Sequence, residues 1–416
     1  MTTAVDASGW FGWWRSGTPE GRRALVAGGL GWMLDSFDVM LYALVLAALI
    51  RDLGISKDTA GLLGSVTLVA SAVGGLAFGV IADRFGRTRA LIASILIYSV
   101  FTAMCGFAQT VMQLAVFRVC LGLGMGGEWA SGAALVSETW PAEYRGKALG
   151  FMQSAWAVGY AAAALVVAIV MPVWGWRAVF FVGVLPALLT IWVQKRVEEP
   201  AMWRERQGRS IGSGARLRDI FKGDLLRFTV PVTLMNACTM FAWWGFNQWI
   251  PAYLMLPVTD GGIGLSTRVM SGFIIAMQVG MWFGYVSFGF ISDAIGRKRA
   301  YVIYVLTAAA LLMSYSLTRT PLVLLVLGPV TAFFATGYFT GFGAVTAEIY
   351  PTEIRATAQG FTYNIGRLAS AVAPYAVGSL AAGRGFGVAF GVAAVAFVLA
   401  AIAWIWIPET KGRALA

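Results

Sequence analysis

Twelve long apolar runs, separated by short polar segments, dominate the pattern of hydrophobic and polar positions along the chain. Each run is long enough to cross roughly 30 Å of hydrocarbon, so each predicts one transmembrane helix. We number these predicted spans in chain order. They cover residues 24–50, 58–82, 90–109, 111–138, 146–171, 174–194, 228–256, 268–292, 300–318, 321–348, 356–382 and 386–407.

A polar and basic segment divides the spans into two groups of six, and the two groups repeat. GVIADRFGRTR at Gly79–Arg89 returns 210 residues later as GFISDAIGRKR at Gly289–Arg299. ETWPAEYRGKA at Glu138–Ala148 returns as EIYPTEIRATA at Glu348–Ala358, and the EEP that ends at Pro200 has a looser echo near the end of the second half. One half is therefore a duplicate of the other, which predicts an all-α membrane protein with twelve transmembrane helices in two six-helix bundles.

The charge distribution predicts the orientation of these parts. Apolar residues make up 59% of the 416 residues and charged residues 12%, which excludes a soluble globular domain. With the N-terminus assigned to the cytoplasm, 23 Lys and Arg lie in cytoplasmic segments and 6 lie outside, so the net charge of +11 reflects topology and not nucleic-acid binding. We expect a multi-pass protein of the cell membrane with both termini in the cytoplasm. Its parts are a cytoplasmic N-terminal segment (1–23), a first bundle (24–194), a cytoplasmic linker (195–227), a second bundle (228–407) and a cytoplasmic tail (408–416).

The sequence has no histidine, and its three cysteines lie in apolar runs without paired spacing. We therefore expect no disulfide, no metal site and no cofactor. Any proton coupling must use carboxylates in place of an imidazole.

Five ionisable residues fall inside predicted spans, where each costs roughly 2.5–3.5 kcal/mol on insertion scales. At about 1.5 Å of rise per residue, Asp35 on span 1 and Arg118 on span 4 both lie about 18 Å from the inner face and can meet. Asp35 and Asp38 are three residues apart and share a helix face, so both can point at the central cavity. Glu128 lies ten residues further towards the cytoplasm than Arg118. Arg367 on span 11 has no acid nearby in its own half, so an anionic substrate or a cluster of backbone carbonyls could be its partner.

An Asp–Arg pair of this kind predicts a proton switch. Protonation of the acid frees Arg118 to hold an anionic substrate, and the reverse releases the substrate. The alternative is a static salt bridge that locks spans 1 and 4 together. The sequence does not separate the roles of Asp35 and Asp38.

Further polar and aromatic residues on the spans are candidates for the substrate site. Trp243, Trp244 and Trp249 on span 7 predict an aromatic wall suited to a substrate with a flat or ring-like face, although ordinary core packing explains them equally well. Each of the other polar residues is more often a helix–helix hydrogen bond than a ligand contact. These candidates are Gln153, Tyr160, Asn247, Gln248, Gln278, Tyr338, Tyr363 and Asn364.

The repeated motif G-x-x-x-D-R-x-G-R-x-R resembles the signature loop of the major facilitator superfamily of secondary transporters. The resemblance implies two pseudo-symmetric bundles with a site between them at mid-membrane. LDSFDVMLY on span 1 and GMGGEW on span 4 are similar to the carboxylate symporters of the sialate and related metabolite–proton branches, in which the span 1 acids and the span 4 arginine couple protons to substrate. Span 7 lacks the histidine of lactate-type relatives, since Trp244 stands near that position.

Charged residues at the cytoplasmic helix ends predict a gate that caps neighbouring helices, pairs with the opposite half in the outward-facing state and breaks when the protein opens inward. Its expected members are Asp83, Arg84, Arg87, Glu138, Arg145, Asp293, Arg297, Glu348 and Arg355.

We therefore expect a proton-coupled symporter of a small organic carboxylate, which acts as a monomer with the organic anion, protons and the lipid bilayer as its partners. A sugar or polyol symporter is the first alternative, and for it Arg367 would be superfluous. A drug–proton antiporter is disfavoured because span 5 lacks a Gly-Pro pattern, and a sensor without transport is disfavoured because no long signalling tail is present. The intramembrane groups form no nucleophile, metal or cofactor constellation, which argues against an enzyme.

Overall fold

The computed structural model describes residues 12–141, 144–199 and 220–411. Most of the predicted linker lies outside these ranges, as do the side chains of Asp83, Arg145 and Arg355. Regular structure in the described ranges is helical. The helices are α1 (Gly12–Arg15), α2 (Pro19–Leu53), α3 (Lys57–Phe85), α4 (Arg87–Gly106), α5 (Val111–Thr139), α6 (Arg145–Val182), α7 (Ala187–Arg196), α8 (Leu226–Met255), α9 (Thr267–Ile295), α10 (Arg297–Leu317), α11 (Pro321–Thr336), α12 (Phe339–Ile349), α13 (Thr352–Ser370) and α14 (Ala373–Ala403), with short 3₁₀ turns at Gly223–Leu225 and Val258–Asp260.

The predicted number of membrane crossings is confirmed. By length and composition, nine helical stretches in the described ranges can span a membrane. Two of these stretches, Lys147–Arg196 and Ala358–Ala403, each contain two crossings, because Gly175 (φ 75°) and Gly385 (φ 80°) break the helix in a conformation that favours glycine. The more polar α8 adds another, so the described part of the chain crosses the membrane twelve times.

Helix ends repeat at the same spacing as the sequence motifs. Ser56 caps α3, and Ser266 caps α9 210 residues later. Gly86 (φ 116°) and Gly296 (φ 105°) separate α3 from α4 and α9 from α10. The duplication therefore extends to the turns and caps, and it produces two six-helix bundles of the same design. We call the membrane face that carries Gly86 and Gly296 the basic face.

Each bundle packs mainly within itself, and a few helices join the two. In the first half α2 packs on α6 and α3 on α5, and in the second half α8 packs on α14 and α9 on α11. The halves meet where α6 lies on α9, α3 on α14 and α2 on α8. The central helices α2 and α8 are therefore buried along much of their length.

Polar contacts close the membrane face opposite the basic face. The Lys57 ammonium of the first half donates to the Asp260 carbonyl of the second at 2.7 Å. The Tyr375 backbone N–H donates to the Ser65 hydroxyl across the same boundary at 3.1 Å. The two halves are thus joined at this face.

Candidate substrate and proton site

Three buried charged residues lie at one level between the two halves. Asp35 on α2, Glu128 on α5 and Arg367 on α13 are 1%, 0% and 5% exposed. Asp35 lies eighteen residues before the end of α2 at Leu53, and Glu128 lies seventeen residues after the start of α5 at Val111, so both are about 26 Å from the helix ends opposite the basic face. The charge of Asp35 interacts with that of Arg367, and Glu128 interacts with both. The first half therefore presents two acids to an arginine of the second half.

The Glu128 side chain is pressed against α2. Both of its carboxylate oxygens are buried without a hydrogen-bond partner. A Cβ atom at Gly31 would lie 2.4 Å from Glu128 Oε1, so the glycine makes room for the acid. Such an unsatisfied buried carboxyl is costly, and in membrane proteins it indicates a functional group.

Asp38 contacts helices of its own bundle, in contrast to the expectation that both acids of α2 face the central cavity, although its charge also interacts with that of Asp35. Its Oδ2 lies 3.2 Å from the Thr102 hydroxyl on α4. A Cβ atom at Gly183, between α6 and α7, would lie 3.1 Å from Asp38 Oδ1. Both neighbours belong to the first half. Three residues turn a helix through about 300°, which leaves Asp38 displaced by about 60° from Asp35 and facing its own bundle.

The predicted ion pair between Asp35 and Arg118 is wrong. The Arg118 guanidinium lies 3.7 Å from the centre of the Tyr42 ring, and its Nε donates to the Leu63 carbonyl at 3.3 Å. Arg118 is only seven residues from the start of α5 and ten residues from Glu128, so it lies about 15 Å from the level of Glu128 and Asp35. The depth estimate failed because the 35-residue α2 is about 52 Å long, which exceeds the hydrocarbon thickness.

Several predicted polar candidates have backbone partners in the structure. The Tyr160 hydroxyl donates to the Asn247 carbonyl across the two halves at 3.4 Å, and the Asn247 amide donates to the Trp243 carbonyl at 3.1 Å. Tyr338 donates to the Thr239 carbonyl at 3.5 Å. The amide of Asn364 donates to the Gly360 carbonyl at 2.8 Å.

Four other candidates keep free hydrogen-bonding capacity or lie near the charged cluster. Gln153, Gln248 and Gln278 are buried, and each has one amide atom without a partner. Tyr363 lies one helical turn from Arg367 and interacts with the charges of Arg367 and Asp35. Among the predicted polar candidates, these four side chains are the best placed to offer polar contacts to a substrate.

The predicted aromatic wall is divided by the structure. Trp243 and Trp244 face the first half, where the centre of the Trp156 ring lies 5.7 and 6.2 Å from theirs. Trp249 lies elsewhere, since its indole donates to the Pro374 carbonyl at 2.8 Å. Trp32 joins the cluster through a 4.7 Å contact with Trp156. Sequence reasoning missed Trp32 and Trp156, although Trp32 stands one helical turn before Asp35 on the same face of α2.

The charge network at the basic face forms pairs within each half. Arg87 and Glu138 pair at 3.0 Å, and Arg297 pairs with Glu348 at 3.2 Å and also with Asp293. Arg84, also expected in the gate, lies over the ring of Phe85. The repeated loops thus tie α4 to α5 and α10 to α12.

Two glutamates of this network were missed in the sequence. Glu199 accepts the backbone N–H groups of Thr88 and Arg89 at the start of α4, both at 3.2 Å. Glu409, 210 residues later, accepts those of Arg297 and Lys298 at the start of α10 at 2.8 and 3.2 Å. Partial burial acts to raise the pKa of Glu409, but hydrogen bonds from backbone N–H groups outweigh it and leave the pKa below its usual range. The looser echo of the EEP motif was the signal that could have identified this pair.

Known proteins share this sequence and fold. The chain is 33% identical to a probable 4-methylmuconolactone transporter of Cupriavidus pinatubonensis, over 97% of this chain and 94% of the relative. It is 32% identical to the sialic acid transporter NanX of Escherichia coli, over 92% and 93% of the two chains. The partially occluded, inward-open structure of the xylose transporter XylE from E. coli superposes with a TM-score of 0.76 at 20% identity, covering 96% of this chain and all of the other.

The family assignment rests on most of the chain. Residues 29–287 and 254–416 match the sequence profile of the Major Facilitator Superfamily. The fold, the repeated basic loops and the full-length relatives agree with this match. The chain therefore belongs to the Major Facilitator Superfamily, whose members are membrane transporters and not enzymes.

Proposed function

We propose that this chain is a proton-coupled symporter that carries a small organic carboxylate across the cell membrane by alternating access, and that it acts as a monomer. The observation that carries the proposal is the charge interaction between Asp35 of the first half and Arg367 of the second half, both buried. A guanidinium at this depth requires an anionic partner, and a substrate carboxylate provides one with bidentate geometry.

Competition for Arg367 supplies the coupling. While Asp35 is ionised, it holds the guanidinium, and a second anion beside it is repelled. A proton on Asp35 removes that repulsion and leaves Arg367 free for the substrate. Proton and anion then enter together and leave together, which is symport.

The closed face indicates how access alternates. Lys57 and Ser65 join the halves at the face opposite the basic face. By the positive-inside rule the basic face is cytoplasmic, so the contacts formed in this state close the outer side. Each half keeps its own charge network at the basic face, so the halves can rock as units around the central site.

The relatives support an organic acid as the substrate class, since their names specify a muconolactone and a sialic acid. The likeness to a xylose transporter concerns the fold alone. Once Asp35 is protonated, a neutral sugar gives Arg367 no replacement for that anionic partner, which is why we favour the carboxylate.

The test is uptake by proteoliposomes under an inward-directed pH gradient. The panel contains monocarboxylates, aromatic acids, sialic acid and neutral sugars. We expect proton-driven uptake of an acid that is lost in Arg367→Gln and kept in Arg384→Gln, because Arg384 is an exposed arginine between the last two spans. Uptake of neutral sugars alone, or acid uptake that Arg367→Gln leaves intact, would refute the proposal.

A further inference from the structure

Two tryptophans that meet across the boundary between the halves have indole N–H groups without a hydrogen-bond partner. Trp156 on α6 and Trp243 on α8 are each 3% exposed, and the Nε1 atom of each is buried and unpaired. Their rings meet edge to face, with centres 5.7 Å apart. A buried donor without an acceptor is destabilising, so these two N–H groups are suited to an acceptor that arrives from outside the chain.

The structure holds the Trp156 ring in place. The Ser36 hydroxyl on α2 donates to the Trp156 carbonyl at 2.7 Å. One turn further on, a Cβ atom at Gly159 would lie 1.8 Å from the Met33 carbonyl oxygen, so only glycine allows α6 to approach α2 this closely. This close approach places Trp156 against Trp32 and towards the second half.

The location of Trp156 and Trp243 distinguishes them from other unpaired tryptophans. Trp404 also has a buried Nε1 without a partner, but its ring packs on Tyr301 inside the second half. Trp140 has the same property and packs on Trp13 of the first half. Trp156 and Trp243, in contrast, meet each other across the boundary, where an acceptor bound between the halves could reach them.

Chains of aromatic contacts in both halves link the tryptophan pair to the charged cluster. In the second half, aromatic contacts run from Trp243 through Phe339 and Phe342 to Tyr363, with ring centres 5.8, 5.2 and 6.5 Å apart. Tyr363 in turn interacts with Arg367.

In the first half, Trp32 contacts Trp156 and stands three residues before Asp35 on α2. The path from Asp35 to Trp156 thus runs one helical turn along α2, about 5 Å, and then across the 4.7 Å contact between the Trp32 and Trp156 rings, so a substrate that reaches from the charged cluster to the tryptophans must be elongated.

We propose that the indole N–H groups of Trp156 and Trp243 bind a second oxygen atom of the transported acid, remote from the carboxylate. The proposal rests on the proposed function and makes the two tryptophans specificity determinants. The favoured substrates are flat acids whose ring or conjugated chain carries a hydroxyl, carbonyl or ring oxygen. The ring of such a substrate takes the place of the contact between the two indoles, so its binding separates the halves at this point.

The experiment compares matched pairs of acids as competitors of the acid uptake found in proteoliposomes. The pairs are benzoate and 4-hydroxybenzoate, cinnamate and 4-hydroxycinnamate, and cyclohexanecarboxylate and 4-oxocyclohexanecarboxylate. In the unaltered protein we expect the oxygenated member of at least one pair to bind roughly tenfold more tightly, the effect of one or two hydrogen bonds. Trp156→Phe and Trp243→Phe remove the N–H and keep an aromatic ring, so each should bring that ratio close to one. Trp404→Phe is the matched control and should leave the ratio unchanged.

Two results would overturn this inference and leave the proposed function intact. One is acid uptake in which no pair shows a preference for its oxygenated member. The other is a preference that survives in both boundary variants. The comparison of pairs in the unaltered protein decides the first without any variant, so loss of folding in a variant does not obscure it. Failure of every acid to compete or be transported would refute the proposed function as well.

Discussion

Replacing Asp35 by Asn should uncouple transport from protons while substrate exchange continues. A pH gradient of one unit supplies about 1.4 kcal/mol per proton, so one proton per anion drives about tenfold accumulation. Asn cannot carry the proton, and the expected accumulation ratio is about one.

Asp35 and Arg367 interact without a direct ion pair in the part of the chain that the structure describes. Unit charges roughly 5–8 Å apart at an effective dielectric constant near 20 interact by about 2–3 kcal/mol. Removing Asp35 frees Arg367 from that interaction, so the apparent affinity for the anion in the pH range where Asp35 is ionised should rise by roughly thirtyfold or more.

The assay measures both properties in proteoliposomes. Accumulation is followed under an inward pH gradient, and affinity is taken from the exchange of labelled against unlabelled acid at equal pH. Asp38→Asn is the matched control, because Asp38 contacts Thr102 inside the first half and should retain nearly tenfold accumulation. If Asp38→Asn abolishes accumulation and Asp35→Asn does not, the assignment of the coupling acid is wrong.

Two further predictions concern stability and are checked by thermal unfolding in detergent. Glu409→Gln should lower the free energy of unfolding by about 1–2 kcal/mol, and Glu199→Gln should lower it less. The reason is that Glu409 accepts hydrogen bonds from four backbone N–H groups and Glu199 from two. Since the folded pKa of Glu409 is lowered, its contribution is present above the ordinary pKa of 4.5 and is lost as the pH falls below it, so the deficit of Glu409→Gln should shrink at acid pH. Equal deficits at pH 7 and pH 3.5 would contradict this. Gly159→Ala should lower the free energy of unfolding by about 1–3 kcal/mol, because the added methyl group clashes with the Met33 carbonyl. Gly29→Ala is the control and should be nearly neutral, because a Cβ atom there meets nothing within 4 Å. Equal melting temperatures of the two variants would disprove the close approach.

The fold could be predicted from the sequence because the membrane restricts what each segment can do. A run of about 20 apolar residues must form a helix, since no other backbone conformation satisfies its polar groups in hydrocarbon. The repeat then fixed the division into halves. The break at Gly385 falls between the runs predicted as spans 11 and 12, and the break at Gly175 falls at the second residue of the run predicted as span 6.

The candidate site was predicted less well, because the sequence does not show how deep each residue of a long helix lies in the membrane. The residues of the central cluster were identified as costly charges, but Arg118 was assigned to Asp35 by counting from one end of a helix that exceeds the bilayer thickness. The interaction of Asp35 with Arg367 depends on how the two halves meet, and neither half contains that information. The same holds for Trp156, whose importance arises only where α6 approaches α8.

The repeat itself distinguishes structural residues from those we assign to transport. The arginine–glutamate pairs of the basic face recur in both halves, where each pair joins two helices of its own half. The central cluster does not recur. Glu128 corresponds to Tyr338 and Arg367 corresponds to Ala157 at the 210-residue spacing, and α8, the counterpart of α2, carries no acid that could correspond to Asp35. Two identical halves would place acids opposite acids and arginines opposite arginines, and the charges would repel. Loss of the symmetry at this one level is what allows an acid of one half to face an arginine of the other.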